Sequence, residues 1–315
     1  MTKICRFDAS FSQELNRLFG SLKKEIEKHG DVLKETISVA VDDGILLGIC
    51  FLTATSSYRY ADREHPGYLN MNFEVIPGEN EVEVSALLID TLIKDYKFIC
   101  KKEKNKRIIL RTFCSASSNE YLSFLTSFGF RAHYFMYRMK KDLTGAVPVQ
   151  GNGDFEFDIF SKDRKRERIS VRTIRAGSDG SIDGLEDYFE ANGRAFEIPD
   201  SENELEFRLK EQNGVQFIAR AGDKLVAAVS VWENGRGSVS TENIFCSEEY
   251  RRCGVTEKML RGVLSYLAGK GYREATLFVY GVNTFAVALY TKLGYNIYGG
   301  LLHMLYEEDY IPEII

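Results

Sequence analysis

Ile244-Phe245-Cys246-Ser247-Glu248-Glu249-Tyr250-Arg251-Arg252-Cys253-Gly254-Val255-Thr256, running into Glu257-Lys258-Met259-Leu260, reads as a short apolar strand, a basic turn with one glycine, and a helix. The helical part sets Val255, Met259, Leu260, Val263, Leu264 and Leu267 on one face at 3.6-residue spacing. Such a turn leaves several backbone N–H groups unpaired at a helix N-terminus, where the helix dipole favours an anion. Arg251, Arg252 and Lys258 add positive charge around it. The stretch is therefore a candidate diphosphate cradle.

A second element lies downstream. Asn283 to Tyr295 fits N-x-x-A-x-x-L-Y-x-K-L-G-[FY] at every defined position. Together the two stretches resemble the GNAT N-acetyltransferase superfamily, whose cofactor loop is [RQ]-x-x-G-x-[GA]. Arg251 and Gly254 match that loop, while Thr256 replaces its final small residue and its branched side chain narrows the approach to a phosphate.

The resemblance implies acetyl-CoA as acyl donor, no metal, and a set of residue roles. Ile244, Phe245 and Cys246 offer backbone groups to the pantetheine arm, as an added strand pairs with a sheet edge. The N–H groups of Arg252, Cys253, Gly254, Val255 and Thr256, flanked by Arg251, hold the pyrophosphate, and Asn283 hydrogen-bonds the pantetheine or phosphate region. Tyr290 stands where a phenol protonates the departing thiolate, and Glu242 where the base that deprotonates the attacking amine is placed. Glu197, Asp200 and Glu202 are further acidic candidates for a cationic substrate. Packing readings stand beside these: Tyr290 as a helix residue lying on the sheet, Glu242 as a solvent-facing strand residue. Cys246 has no His/Asn partner in the pattern of a nucleophile and reads as a small apolar strand residue.

The chain of 315 residues suggests two domains, and 44% hydrophobic with 28% charged residues describes an ordinary globular protein. A net charge of −5 gives no global attraction to nucleic acid or to an acidic membrane. The basic runs Lys101–Arg107 and Lys162–Arg168 contain acids and read as solvated surface. No apolar run is long enough to span a bilayer, and Met1 to Arg6 leads into a strand rather than a signal segment. Six cysteines without C-x-x-C spacing suit a reducing cytoplasm, and four scattered histidines show no ligand spacing.

The chain also repeats itself. Ser38–Ile49 and Phe217–Ala228 each read as strand, acidic-glycine turn, strand, and Phe124–Phe130 echoes Leu289–Tyr295. The expected fold is mixed α/β: two tandem GNAT-like domains, each a largely antiparallel mixed sheet flanked by helices. The predicted bounds are a first domain over 1–143, a linker over 144–169 in which Phe155–Ile159 alternates like an edge strand, and a second domain over 170–315. In the first repeat Ile76-Pro77-Gly78-Glu79-Asn80-Glu81-Val82-Glu83 puts carboxylates where phosphates would sit, and Leu125 replaces Tyr290. The first domain is therefore expected to lack a CoA site. The functional expectation is acetyl transfer to a primary amine of a small molecule by a monomer or homodimer. An acyl-CoA sensor or scaffold without catalysis, and an acetyltransferase acting on protein N-termini or lysines, are the alternatives.

Overall fold

Apolar alternation, helical periodicity and glycine turns divide the chain into two sheet-and-helix units, seen in a computed structural model that describes residues 2–11, 13, 17, 32–145, 147, 151–177, 184–196 and 202–307. Unit one comprises residues 1–134 with 302–315, and unit two comprises residues 135–301.

In unit one, β1 (Lys3–Arg6), β2 (Ser38–Asp42), β3 (Ile45–Ala54) and β4 (Gly67–Val75) pair antiparallel in sequence order. β5 (Ile108–Ser115) then joins β4 in parallel. The β2–β3 turn places Asp43 at φ 47 and Gly44 at φ 81, two left-handed residues in the tight hairpin that the acidic-glycine pair predicts. After the short α1 (Ser56–Arg59), the long α2 (Glu81–Lys102) lays Val84, Leu88, Leu92 and Tyr96 against Leu52, Leu69 and Leu110. α3 (Asn119–Ser127) follows β5 and ends at Gly129, φ 90.

Unit two repeats the plan. β7 (Phe155–Phe160), β8 (Arg166–Ile174), β9 (Val215–Ala221), β10 (Lys224–Gly235) and β11 (Ser238–Cys246) pair antiparallel in order. β12 (Glu274–Tyr280) runs parallel to β11. One face of the sheet carries α6 (Val255–Gly269) and α7 (Thr284–Lys292). The other packs α4 (Glu186–Ala195) and α5 (Glu202–Glu211) through Tyr188, Leu205 and Leu209 on Ile218, Ala228 and Phe245. Val255, Met259, Leu260, Val263, Leu264 and Leu267 of α6 are all buried, as their spacing predicts, each contributing about 1.5–3 kcal/mol of apolar burial.

Two predicted boundaries are corrected. The segment 144–169 is not a free linker, because it holds β7 and the start of β8. Phe155, Phe157 and Ile159 turn one face into the core of unit two, and the charges on the other face pair across the hairpin, Arg166 with Asp158 and Arg168 with Glu156. The charged run is thus the hairpin's turn and second strand, with Arg164 left-handed at φ 61. The second correction concerns the last strand of each repeat. β6 (Arg131–Asp142) gives residues 135–142 to unit two, where Met136–Asp142 pair antiparallel with β12. β13 (Asn296–Tyr306) gives residues 302–306 to unit one. The first unit therefore breaks off at 134 and resumes at 302, and the second runs over 135–301, since a strand of alternating apolar residues satisfies either sheet. The helix expected over Phe11–Glu27 falls largely outside the described residues.

Candidate functional site

The centre of unit two is a wedge between two parallel strands. β11 and β12 pair only over Ser238–Ser240 and Glu274–Thr276. Beyond that point Thr241–Cys246 and Leu277–Tyr280 part. At the vertex the Thr241 hydroxyl donates to the Thr276 carbonyl at 3.0 Å and accepts from the buried Tyr295 hydroxyl at 2.9 Å, so side chains finish the ladder where the backbone stops. On the other side of β11, Ala228 pairs with Phe245 but Ser230 pairs with Glu242. Two steps on β10 face three on β11, a β-bulge with Asn243 left-handed at φ 47. A bulge bends and twists its strand, which turns the end of β11 away from β12.

β11 leads into the cradle. Ser247 and a single 3-10 turn (Glu248–Tyr250) precede Arg251, and α6 starts after Gly254. Arg252 at φ 68 and Gly254 at φ 80 flank Cys253, and alternating backbone handedness turns successive N–H groups toward one point. The first helix-type bond is Lys258 N–H to the Gly254 carbonyl at 3.1 Å. The N–H groups of Arg252, Gly254, Val255, Thr256 and Glu257 have no backbone acceptor among the described residues. Nothing lies within 4 Å of a Cβ built on Gly254, so glycine is required there by the backbone angle and not by crowding.

The β7–β8 hairpin holds this loop in place. Lys162 Nζ donates to the Glu248 carbonyl at 2.9 Å, Tyr250 donates to Glu167 at 2.8 Å, and Lys258 Nζ donates to the Asp158 carbonyl at 2.6 Å. Arg251 Nε reaches the Cys246 carbonyl at 3.2 Å, tying the end of β11 to the turn. Burial pushes the Cys246 thiol up to about 11 against the opposing pull of Thr256 and Arg251, so it stays protonated.

Tyr290 and Asn283 both sit on α7. Asn283 is its N-cap, with the side-chain oxygen accepting from Ala286 N–H at 3.1 Å; only its amide NH2 remains for a ligand. Tyr290 is 7% exposed and packs its ring edge-on to Tyr295 at 6.0 Å. Burial raises its phenol well above the ordinary tyrosine value. Its hydroxyl makes no hydrogen bond to any described residue.

Glu242 lies on the opposite face of β11 from Thr241. It shares that face with Ser240, whose hydroxyl donates to the Glu242 carboxylate. Beneath α4 a buried polar string continues from the cross-strand partner Ser230: Ser230 donates to Gln216 at 2.6 Å, and Asn192 donates to Tyr188 at 3.1 Å with Tyr188 3.4 Å from Ser230. The same face of β12 presents Phe278 and Tyr280. Glu197 and Asp200 lie outside the described residues, and Glu202 opens α5. Sequence reading missed this polar string, which scatters over four elements, and it missed Arg138 on β6, which the numbering assigns to the other repeat.

The sequence model of the acetyltransferase (GNAT) family matches residues 183–295. This stretch is a GNAT domain. No curated protein matches the chain. Among solved structures, a GCN5-related N-acetyltransferase from Sphaerobacter thermophilus is 16% identical with TM-score 0.61, over 97% of this chain and 95% of that one. A tandem GNAT protein from the clavulanic acid biosynthesis pathway is 12% identical with TM-score 0.61, over 98% of both chains. A putative acetyltransferase from Pyrococcus horikoshii is 14% identical with TM-score 0.55, over 98% and 90%. These likenesses show the fold, which spans nearly the whole chain: two tandem GNAT-like units. In the GNAT domain the wedge and the cradle fall inside the matched residues. Among the described residues no group of three or more His, Cys, Asp or Glu is placed to hold a metal, and no helix is long and apolar enough to cross a membrane.

Proposed function

We propose that unit two moves an acyl group, most simply acetyl, from CoA to a primary amine by direct attack in a ternary complex, and that unit one binds no CoA. The observation that carries this is the cradle: five backbone N–H groups without a backbone acceptor, around two left-handed residues, continuous with the parted edge of β11. A diphosphate fits those donors, and a pantetheine arm fits a strand edge that has lost its neighbour.

Acyl-CoA supplies an activated thioester; every other contribution comes from this chain. Arg252 to Glu257 bind and orient the diphosphate, and Arg251 stiffens the junction by holding the Cys246 carbonyl. Tyr290, buried and kept protonated, holds the proton that a leaving thiolate needs. Glu242, oriented by Ser240, takes a proton from the substrate ammonium, and the neutral amine so formed attacks the thioester carbonyl. Backbone N–H groups of the parted strand serve the developing oxyanion.

The test combines calorimetry with acetyl-CoA and a thiol-release assay against amines, for the native chain and Tyr290→Phe. Binding together with amine-dependent thiol release that falls in the variant supports the reading. Binding with no thiol release against any amine or peptide makes the protein a sensor, and absence of binding removes the cofactor site.

A further inference from the structure

On the open face of unit two a guanidinium lacks a counter-charge. Arg138 stands on β6 directly opposite Phe278 of β12. Its guanidinium lies 4.8 Å from the Tyr298 ring centroid and 5.9 Å from that of Phe278, held by two aromatic faces. Its Nε is buried and has no hydrogen-bond partner. No ion pair or hydrogen bond joins Arg138 to any described residue, and Glu274, four residues along β12 from Phe278, is engaged by Lys140 at 3.6 Å. Gly299 of β13 leaves an added Cβ 3.8 Å from the Arg138 stem, so the side chain is seated in a fitted slot. A half-buried, unpaired cation with an orphaned donor is costly to keep unless something else completes it.

Strand register says what lies level with it. Ser240, Thr276 and Lys140 are paired in a row across β11, β12 and β6, and side chains in such a row point to one face. Two residues further along, Glu242, Phe278 and Arg138 stand level on that same face. Adjacent strands are about 4.8 Å apart, so two spacings put Glu242 and Arg138 roughly 10 Å apart at the backbone, and the wedge widens this. The proposed base and the unpaired cation thus face one open surface from opposite sides of Phe278.

Resting on the transferase reading, we infer that the acceptor is an amine that also carries an anionic group, most simply a carboxylate, and that Arg138 is the group that binds it. An amine directed to Glu242 and a carboxylate on the Arg138 fork describe an amino-acid-like zwitterion. The specificity residue of unit two then comes from the first repeat, through the exchanged strand.

The experiment measures acetyl transfer to matched pairs: lysine against cadaverine, ornithine against putrescine, and phosphoethanolamine against ethanolamine. Native protein, Arg138→Ala and Arg138→Lys are compared, with folding checked by Trp232 fluorescence and acetyl-CoA binding measured separately. The native protein is expected to favour the anionic member of a pair. Arg138→Ala should raise KM for that member about 10- to 100-fold and leave KM for acetyl-CoA and turnover of the member without the anionic group unchanged. Arg138→Lys, a point charge without the fork, should restore part of the loss. A preference confined to phosphoethanolamine reassigns the anion from carboxylate to phosphate and overturns the amino-acid form. Equal effects on both members of each pair overturn the inference, as does transfer only to amines without an anionic group or to neither set while acetyl-CoA still binds. Failure of acetyl-CoA to bind overturns the transferase reading instead.

Discussion

The parallel pairs β4–β5 and β11–β12 hold together over four and three positions respectively, then separate. What happens past the vertex differs. In unit one β4 keeps an unbroken register against β3 from Ala54–Leu69 to Gly48–Val75, with no bulge to bend it. Phe73, on its parted end, meets Tyr121 of α3 at 6.5 Å, so aromatic side chains reach from one strand to the helix that follows the other. The turn into α2 offers Glu81 N–H to the Gly78 carbonyl, places Pro77 where an N–H is missing, and carries three glutamates. In unit two the bulge opens the wedge and the turn leaves its donors unspent. On the proposed reading, a duplicated wedge becomes a binding site where a backbone irregularity keeps side chains from closing it.

The sharpest way to break this comparison is Tyr290→Phe. It should lower kcat by roughly 10²- to 10⁴-fold with the acetyl-CoA Kd nearly unchanged, because it removes only a proton donor; calorimetry beside steady-state rates separates the two. Unit one has Leu125 at this place, so Leu125→Ala should leave kcat as it is while destabilising its own core by about 2–5 kcal/mol, read by chemical denaturation. Next in size is Gly254→Val, which forces a branched residue to φ 80 and should weaken acetyl-CoA about 10- to 100-fold. Gly78→Val in the corresponding turn should not change the Kd.

Acid should also separate the units. His303, pushed down to about 3 by burial and then by Arg111 and His133, is neutral in folded unit one. An unfolded histidine charges below about 6.5, so its contribution is intact above that pH and is lost as pH falls from 6.5 toward 3. Hydrogen exchange in β5 should accelerate in that window, and His303→Phe should remove the effect. In unit two Tyr290 and Tyr295 are both raised by burial, so their contribution is present below about pH 10 and disappears above it, where Trp232 fluorescence should report loosening. The smallest effect is expected at the exposed Lys292–Glu257 pair, 2.6 Å apart: Lys292→Ala should change stability by less than about 1 kcal/mol.

Much of this was legible in the residues. The helix beginning at Val255, the glycine C-caps at Gly129 and Gly294, the acidic hairpin turns and the cradle follow from periodicity and turn chemistry, which are local. The β7–β8 hairpin was half visible: Phe155, Phe157 and Ile159 alternate, but the charges at 162–168 resemble a solvated tether until Arg166 and Arg168 are seen facing Asp158 and Glu156. The exchange of β6 and β13 was not legible, because a strand's pattern names the face that it buries and not the sheet that it joins. That is also why Arg138 was invisible as a site residue. The bulge at Asn243 left one trace, an Asn just before the apolar run Ile244-Phe245-Cys246, and it needed the partner register to mean anything.

The exchanged strands have a consequence for the history and handling of such a protein. Cutting the polypeptide between its repeats would leave residues 135–142 on the N-terminal piece and residues 302–306 on the C-terminal piece, each away from its own unit, so that each piece has a naked β edge prone to stick to its neighbours. A repeated copy is ordinarily free to be deleted; here each copy keeps custody of a piece of its twin, and loss of residues 1–143 would take a strand segment of unit two with it.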